Sequence, residues 1–229
     1  MTADVAVVIV AGGRGTRVGG NELKQFRWVA GKPMLLHSVQ KFQARNDVCM
    51  VVVVLPFEHV GDPPAWLFQC DTERLLLSVG GRERGDSVRN GLEDVPADAS
   101  IVLIHDAARP LVTTAMIDAV VSAARLGHGA APGLVIADTL KRIRETGEII
   151  ETIDRQGMVR IQTPQGFPRE MIEAVHARAV EERITATDDA ALCEKFGMKV
   201  VCVAGSERAM KITDEADFIR AEALSILPE

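Results

Sequence analysis

Two unbroken apolar runs, Val5–Val10 and Met50–Leu55, constrain the fold of this chain more than any other feature. A strand with one wet face alternates in polarity. An unbroken run is what a strand shows when both faces are buried, as in the interior of a parallel sheet. Shorter runs of similar character follow at Leu75–Val79, Ile101–Ile104, Gly133–Ile136 and Val200–Val203, with helix-like stretches between most of them. Strand alternating with helix predicts an α/β fold: a mostly parallel, Rossmann-like sheet covered by helices on both faces.

The helical stretches carry end signals. Pro33 suits the first turn of a helix presenting Leu35, Leu36, Val39 and Phe42 on one face. Thr113 or Thr114 is placed to cap a helix that presents Ile117, Val120, Val121 and Ala124. Thr187 or Thr185 starts a short helix through Leu192, and Thr213, followed by Asp214 and Glu215, begins one that buries Phe218, Ile219 and Leu224. Pro56–Gln69, with Gly61, Asp62, Pro63 and Pro64, reads as a surface connection.

One segment breaks the alternation. Within Asp138–Phe167, Thr139–Arg144, a Glu145-Thr-Gly147 turn and Ile149–Ile153 predict a projecting β-hairpin, which would be poorly stable without a partner surface. No internal repeat or linker interrupts the 229 residues, of which 47% are hydrophobic. The expectation is therefore a single domain over 1–229 with an arm at 138–167.

Composition excludes several classes. The formal net charge of −6 argues against broad attraction to nucleic acid or an anionic membrane, so a phosphate site must be a local cluster of cations. No apolar run reaches the roughly 18 residues of a membrane span, and the start lacks the basic region of a secretory signal. A cytoplasmic protein is expected. Cys49, Cys70, Cys193 and Cys202 form no Cys-x-x-Cys pair and have no His at zinc-ligand spacing, so they read as reduced core thiols.

The segment Ala11-Gly12-Gly13-Arg14-Gly15-Thr16-Arg17-Val18-Gly19-Gly20, with Lys24 beyond it, follows the first strand. Glycines let backbone N–H groups approach an anion, and Arg17 and Lys24 balance the charge of a polyphosphate. Two commoner loops fail on spacing. Counting from Gly13, Val18 stands where the dinucleotide fingerprint of an NAD-binding oxidoreductase needs its last glycine. Gly31-Lys32 is followed by Pro33 and has Phe26 where a Walker loop needs its first glycine.

A second candidate, His105-Asp106-Ala107-Ala108-Arg109-Pro110, falls where a parallel strand ends, which is where open α/β sheets bind ligands. There Asp106 could hold Mg²⁺ or a substrate hydroxyl and Arg109 a phosphate, whereas His105 reads as a hydrogen-bonded structural residue. A third, Gly80–Ser87, is another Gly-rich turn leading into a helix with Val88 and Leu92, where Gly80, Gly81 and Ser87 could meet a base. Thr139, Lys141, Arg155, Thr163, Gln165, Thr187, Asp188, Asp189 and Lys211 are further polar residues, each of which alone reads as a cap or surface group.

Taken in order, Ala11–Arg17, Lys24-Gln-Phe, Gly80–Val88, His105–Pro110, Asp138-Thr139, Asp154-Arg155, Thr163-Pro-Gln165 and Thr187-Asp188 resemble the 2-C-methyl-D-erythritol 4-phosphate cytidylyltransferases, from Val5 to about Phe218. Leu23, Gly13 and Arg82 depart from the family's usual Pro, Ala and acidic or small residue. The resemblance implies transfer of CMP from CTP to methylerythritol phosphate, with release of pyrophosphate, in the non-mevalonate isoprenoid pathway. By the same resemblance, Arg17, Lys24, Arg155 and Lys211 are the catalytic cations. Ala11, Gly12, Gly13, Gly15, Gly80, Gly81, Ser87 and Ala107 receive CTP, and Asp106, Arg109, Thr139, Thr163 and Thr187 receive the sugar phosphate. Mg²⁺ is expected mainly on CTP phosphates, with Asp106 able to join, and a homodimer through the 138–167 arm is implied. Ribitol 5-phosphate cytidylyltransferases share these motifs. A catalytically silent nucleotide sensor would not need Arg17, Lys24, Arg155 and Lys211 together.

Overall fold

The computed structural model describes residues 3–13 and 23–228. In chain order its strands and helices are β1 (Val5–Val10), β2 (Trp28–Val29), β3 (Lys32–Pro33), α1 (Met34–Gln43), β4 (Val48–Leu55), β5 (Leu75–Val79), α2 (Arg84–Glu93), β6 (Ile101–Asp106) and α3 (Thr114–Arg125). The second half continues with β7 (Gly129–Val135), β8 (Leu140–Ile143), β9 (Ile149–Ile153), β10 (Val159–Ile161), β11 (Gln165–Pro168), α4 (Arg169–Glu181), α5 (Asp189–Lys195), β12 (Val200–Ala204) and α6 (Glu215–Ser225).

The eight-stranded sheet runs β10-β7-β11-β6-β1-β4-β5, with β12 also paired to β7. Strands β5, β4, β1 and β6 are parallel, and β11 enters antiparallel between β6 and β7. The chain leaves β1 toward β4 and β5 on one side and returns to β6 on the other. This reversal opens a crevice at the carboxyl ends of β1 and β6, where α/β sheets bind ligands.

The expected two-sided burial is met. Val5, Val7 and Ile9 of β1 pack with Leu35, Val39 and Phe42 of α1 and with Ile117 and Val120 of α3. Their neighbours Ala6 and Val8 turn to the opposite face and meet Val88 and Leu92 of α2, Ile172 and Val175 of α4, and Leu192 of α5. The period-two alternation of side chains thus serves two hydrophobic layers at once.

Several local expectations need correction. Pro33 precedes α1 rather than joining it, and α4 extends a helix where none was expected. Asp188, not a threonine, caps α5 by accepting from Ala191 N–H, and Asp214 caps α6 in a reciprocal box with Asp217. Ile219 on α6 is 72% exposed, because the buried stripe runs through Phe218 and Ala221. Cys202 is also exposed rather than in the core, on β12, while all four cysteines are free. No helix among the described residues is long and apolar enough to cross a membrane.

The hairpin is present but shorter than the 138–167 segment. Strands β8 and β9 pair antiparallel in a sheet of their own, closed by bonds between Arg144, Gly147 and Glu148, with Gly147 at φ +85°. The rest of the segment goes back into the main sheet: β10 pairs with β7, and β11 with β6 and β7. Ile143, Ile149 and Ile150 of the hairpin are exposed.

Candidate active site

Three turns meet at the carboxyl ends of β1, β5 and β6. Backbone bonds tie each to its neighbour: Ala11 N–H to Val54 O at 2.9 Å, Gly80 N–H to Leu55 O at 2.7 Å and Ala107 N–H to Val10 O at 3.1 Å. Gly12 and Gly80 touch backbone to backbone, leaving no room for ordinary side chains between them. The Ser87 hydroxyl accepts from Gly81 N–H at 3.0 Å and donates to Glu83 O at 3.2 Å, so it holds the second glycine turn against the start of α2. Buried Gln25 donates to Ala11 O at 2.6 Å and to Gly13 O at 3.2 Å, fixing the mouth of the first loop.

Lys24 stands at the rim and donates to Ile212 O at 2.8 Å. The preceding Leu23 takes φ −62°, the value a proline would enforce, and packs on the core. The departure from proline therefore leaves the same local geometry. With Lys211 and Thr213 opposite, these elements line a cleft of about 390 Å³.

Asp106 is the electrostatic centre of the cleft. Its Oδ1 accepts from Arg84 Nε at 3.2 Å and its Oδ2 from Lys211 Nζ at 2.7 Å. Burial pushes the carboxyl up, but Arg84 and Lys211 outweigh it and hold Asp106 well below the usual carboxylate range. Arg84 also reaches Asp189 Oδ2 at 2.7 Å. Burial would lower its guanidinium, and the two carboxylates raise it instead, so it stays charged.

Behind Asp106 lies a hydrogen-bonded scaffold. The Thr163 hydroxyl accepts from Asp106 N–H at 3.0 Å and lies 3.2 Å from His105 Nδ1. His105 Nε2 is 3.2 Å from Arg109 O and 3.3 Å from Ser38 Oγ. With its hydroxyl oxygen taken by Asp106 N–H, Thr163 donates to Nδ1, which leaves the Nε2–H tautomer to bond Arg109 O. Burial pushes His105 down to about 4, so it is a neutral strut, in keeping with the structural role read from the sequence. Arg109 donates to Ala209 O at 2.8 Å and Ile161 O at 3.3 Å, joining β6 to the β10 and β12 side.

The fold thus gathers Ala11, Gly12, Gly13, Lys24, Gly81, Ser87, Asp106, Ala107 and Lys211 around one cleft, with Gly80 packed directly behind Gly12. It does not bring all the candidates there. Thr139 and Arg155 are exposed at the two ends of the hairpin, Thr187 is exposed before α5, and Thr163 and Arg109 are engaged in the scaffold. Gly15 and Arg17 lie outside the described residues. Arg84, His176, Gln25 and Thr213 do not stand out as site residues from sequence, and Asp189 there reads as a cap or surface group. Arg84 sits inside the Gly80–Ser87 turn, where an arginine reads as solvated until the fold sets Asp106 beside it.

Among the described residues no group of three or more His, Cys, Asp or Glu side chains could hold a metal ion. Asp106 offers a single carboxylate, both oxygens of which already face cations. That donor set suits an ion that arrives on phosphate oxygens, and does not suit one caged by protein ligands alone.

Known proteins are similar to this chain in sequence and fold. Residues 5–226 match the family model described as 2-C-methyl-D-erythritol 4-phosphate cytidylyltransferase. A Frankia casuarinae protein of that name is 41% identical over 96% of this chain and 80% of its own length. The bifunctional enzyme IspD/IspF of Rhodospirillum rubrum is 45% identical over 97% of this chain, which spans 57% of that longer protein. The crystal structure of 2-C-methyl-D-erythritol 4-phosphate cytidylyltransferase from Thermus thermophilus superposes with TM-score 0.81 at 30% identity, covering 96% of this chain and 98% of that one.

Proposed function

Because the chain belongs to the 2-C-methyl-D-erythritol 4-phosphate cytidylyltransferase family, we propose that its cleft transfers CMP from CTP to 2-C-methyl-D-erythritol 4-phosphate. The products are 4-diphosphocytidyl-2-C-methyl-D-erythritol and pyrophosphate, a step toward isoprenoid precursors. The observation that carries this reading is the ionised Asp106 held between Arg84 and Lys211, with Lys24 lining the same cleft at the mouth of two apposed glycine turns.

A phosphate monoester is already a nucleophile. Its oxygen attacks the α-phosphorus of CTP in line, the bond to the bridging oxygen of pyrophosphate breaks, and no covalent enzyme intermediate is required. Charge gathers on the phosphoryl oxygens, so the gain comes from fixed cations rather than from a base. Lys24 faces the triphosphate, Arg17 is assigned the same charge-stabilising role, and Lys211 steadies the incoming phosphate beside Asp106. The backbone N–H groups of the Ala11–Gly13 and Gly80–Gly81 turns receive the nucleotide, and buried Ser87 keeps the second turn in shape. A Mg²⁺ ion on the triphosphate, which Asp106 could join, would further neutralise the leaving pyrophosphate.

Thr139 and Arg155 stand on the arm, away from the cleft of their own chain. They are best used if a second copy offers its arm, so the active species is a homodimer joined through the hairpins. The test is pyrophosphate release from CTP and Mg²⁺ with methylerythritol phosphate or ribitol 5-phosphate as acceptor. Release with the first supports the assignment. Preference for the second overturns the acceptor, and release with neither overturns the reaction.

A further inference from the structure

We propose that Asp189 is a positioning residue for the reaction site, acting through Arg84 on Asp106. A continuous chain of hydrogen bonds and ion pairs carries the idea. His176 Nε2 on α4 bonds Asp189 Oδ1 at 3.0 Å, and Asp189 Oδ2 takes Arg84 NH1 at 2.7 Å. Arg84 Nε then holds Asp106 Oδ1 at 3.2 Å, and Lys211 takes the other oxygen at 2.7 Å. Asp189 is 2% exposed and His176 3%.

Burying a carboxylate is costly, and an apolar residue of similar volume would pack α2, α4 and α5 without that penalty. Capping does not explain Asp189 either, since Asp188 already caps α5. An apolar residue could not fix the plane of a guanidinium. Held at NH1 by Asp189, Arg84 presents only Nε to Asp106, while its NH2 is buried without a partner. Released from Asp189, the guanidinium is free to turn and take Asp106 in a two-pronged grip, the arrangement arginine and carboxylate favour. Asp106 would then be drawn away from Lys211. His176 is the brace that keeps Asp189 in place.

The kinetic consequence rests on the proposed roles of Asp106 and Lys211; the geometric one does not. Asp189→Asn keeps the shape and removes the charge. It is expected to lower kcat/KM for the polyol phosphate about 10- to 100-fold, as a misplaced group near the chemistry does, with CTP affinity held within about two-fold. His176→Leu should give part of that loss, and His176→Gln, whose amide can still donate to Asp189, should restore most of it. These two also decide the matter should Asp189→Asn fail to fold. Kinetic constants equal to wild type, with only a lower Tm, would mean a mere staple and overturn the proposal. If wild-type protein shows no turnover, the functional reading fails and the inference is judged by NMR alone. The Arg84 Nε–H resonance, identified by its loss in Arg84→Lys, should shift in Asp189→Asn and His176→Leu and return in His176→Gln; an unmoved resonance overturns the proposal.

Discussion

Gly12 and Gly80 lie back to back at the mouth of the cleft: a Cβ on Gly12 would stand 3.3 Å from Gly80 Cα, and one on Gly80 would stand 3.2 Å from Gly12 Cα. The Gly80 Cβ would also meet Leu55 O at 3.1 Å. Both neighbours are backbone, which gives way only by moving a strand end. Gly80→Ala should therefore cost about 1–3 kcal/mol of stability through overpacking. By spreading the two turns it should also raise KM for CTP. Urea denaturation and steady-state kinetics check this, and an unchanged KM would show that the apposition does not shape the nucleotide site.

Lys24 is tied to Ile212 O across the cleft rim, so its ammonium is positioned before any ligand arrives. Lys24→Ala should lower kcat about 10²–10³-fold, the scale for losing one fixed charge stabiliser. Arg17→Ala should do likewise. The thermal melt of Lys24→Ala should move little, because the Lys24 side chain stands at the cleft rim and is not part of the buried core. Near-normal turnover in both variants would remove these residues from the mechanism.

His105 gives a pH signature. Its folded pKa is pushed down to about 4 from 6.5, so the folded protein binds fewer protons than the unfolded chain between those values. Stability contributed by the neutral imidazole is present above pH 6.5 and is lost as pH falls toward 4, with a slope of up to about 1.4 kcal/mol per pH unit. Denaturation curves at pH 7 and pH 5 should show this loss in wild type and a flatter dependence in His105→Gln. Equal slopes would place the titrating group elsewhere. Asp106, held far below the carboxylate range, adds its own loss only in stronger acid.

Ile149 and Ile150 are 60% and 48% exposed on β9, and neighbouring strand residues point to opposite faces, so both sides of the hairpin carry apolar surface. Ile149→Lys with Ile150→Lys should convert the proposed dimer to monomer in sedimentation velocity. Activity should fall with it, since Thr139 and Arg155 would no longer reach a neighbouring cleft. A wild-type monomer with full activity would refute the shared site.

Much of the fold was legible because burial leaves a direct mark on composition. Val5–Val10 has no polar residue, as suits a strand whose two faces both meet hydrophobic layers. The glycine turns were legible for a similar local reason, since close approach of two backbones tolerates nothing larger at Gly12 and Gly80. Helix ends were less so: Asp188 and Asp214 cap where threonines one residue earlier looked equally able, and the choice depends on where packing lets the first turn start. Along the sequence β10 and β11 read as part of the arm, because nothing local says which sheet a short strand will join.

The sequence by itself determined the layered α/β architecture and the family, both of which depend on residue type and local spacing. Tertiary structure alone decided which charges meet. Arg84, Asp106, Asp189 and Lys211 are joined across separations of up to 105 residues, and no periodicity records such pairings. An arginine in a glycine turn and an aspartate at a helix start look solvated along the chain. They become a buried network only when the sheet brings α2, α5 and the end of β6 into contact, because desolvation then makes pairing obligatory.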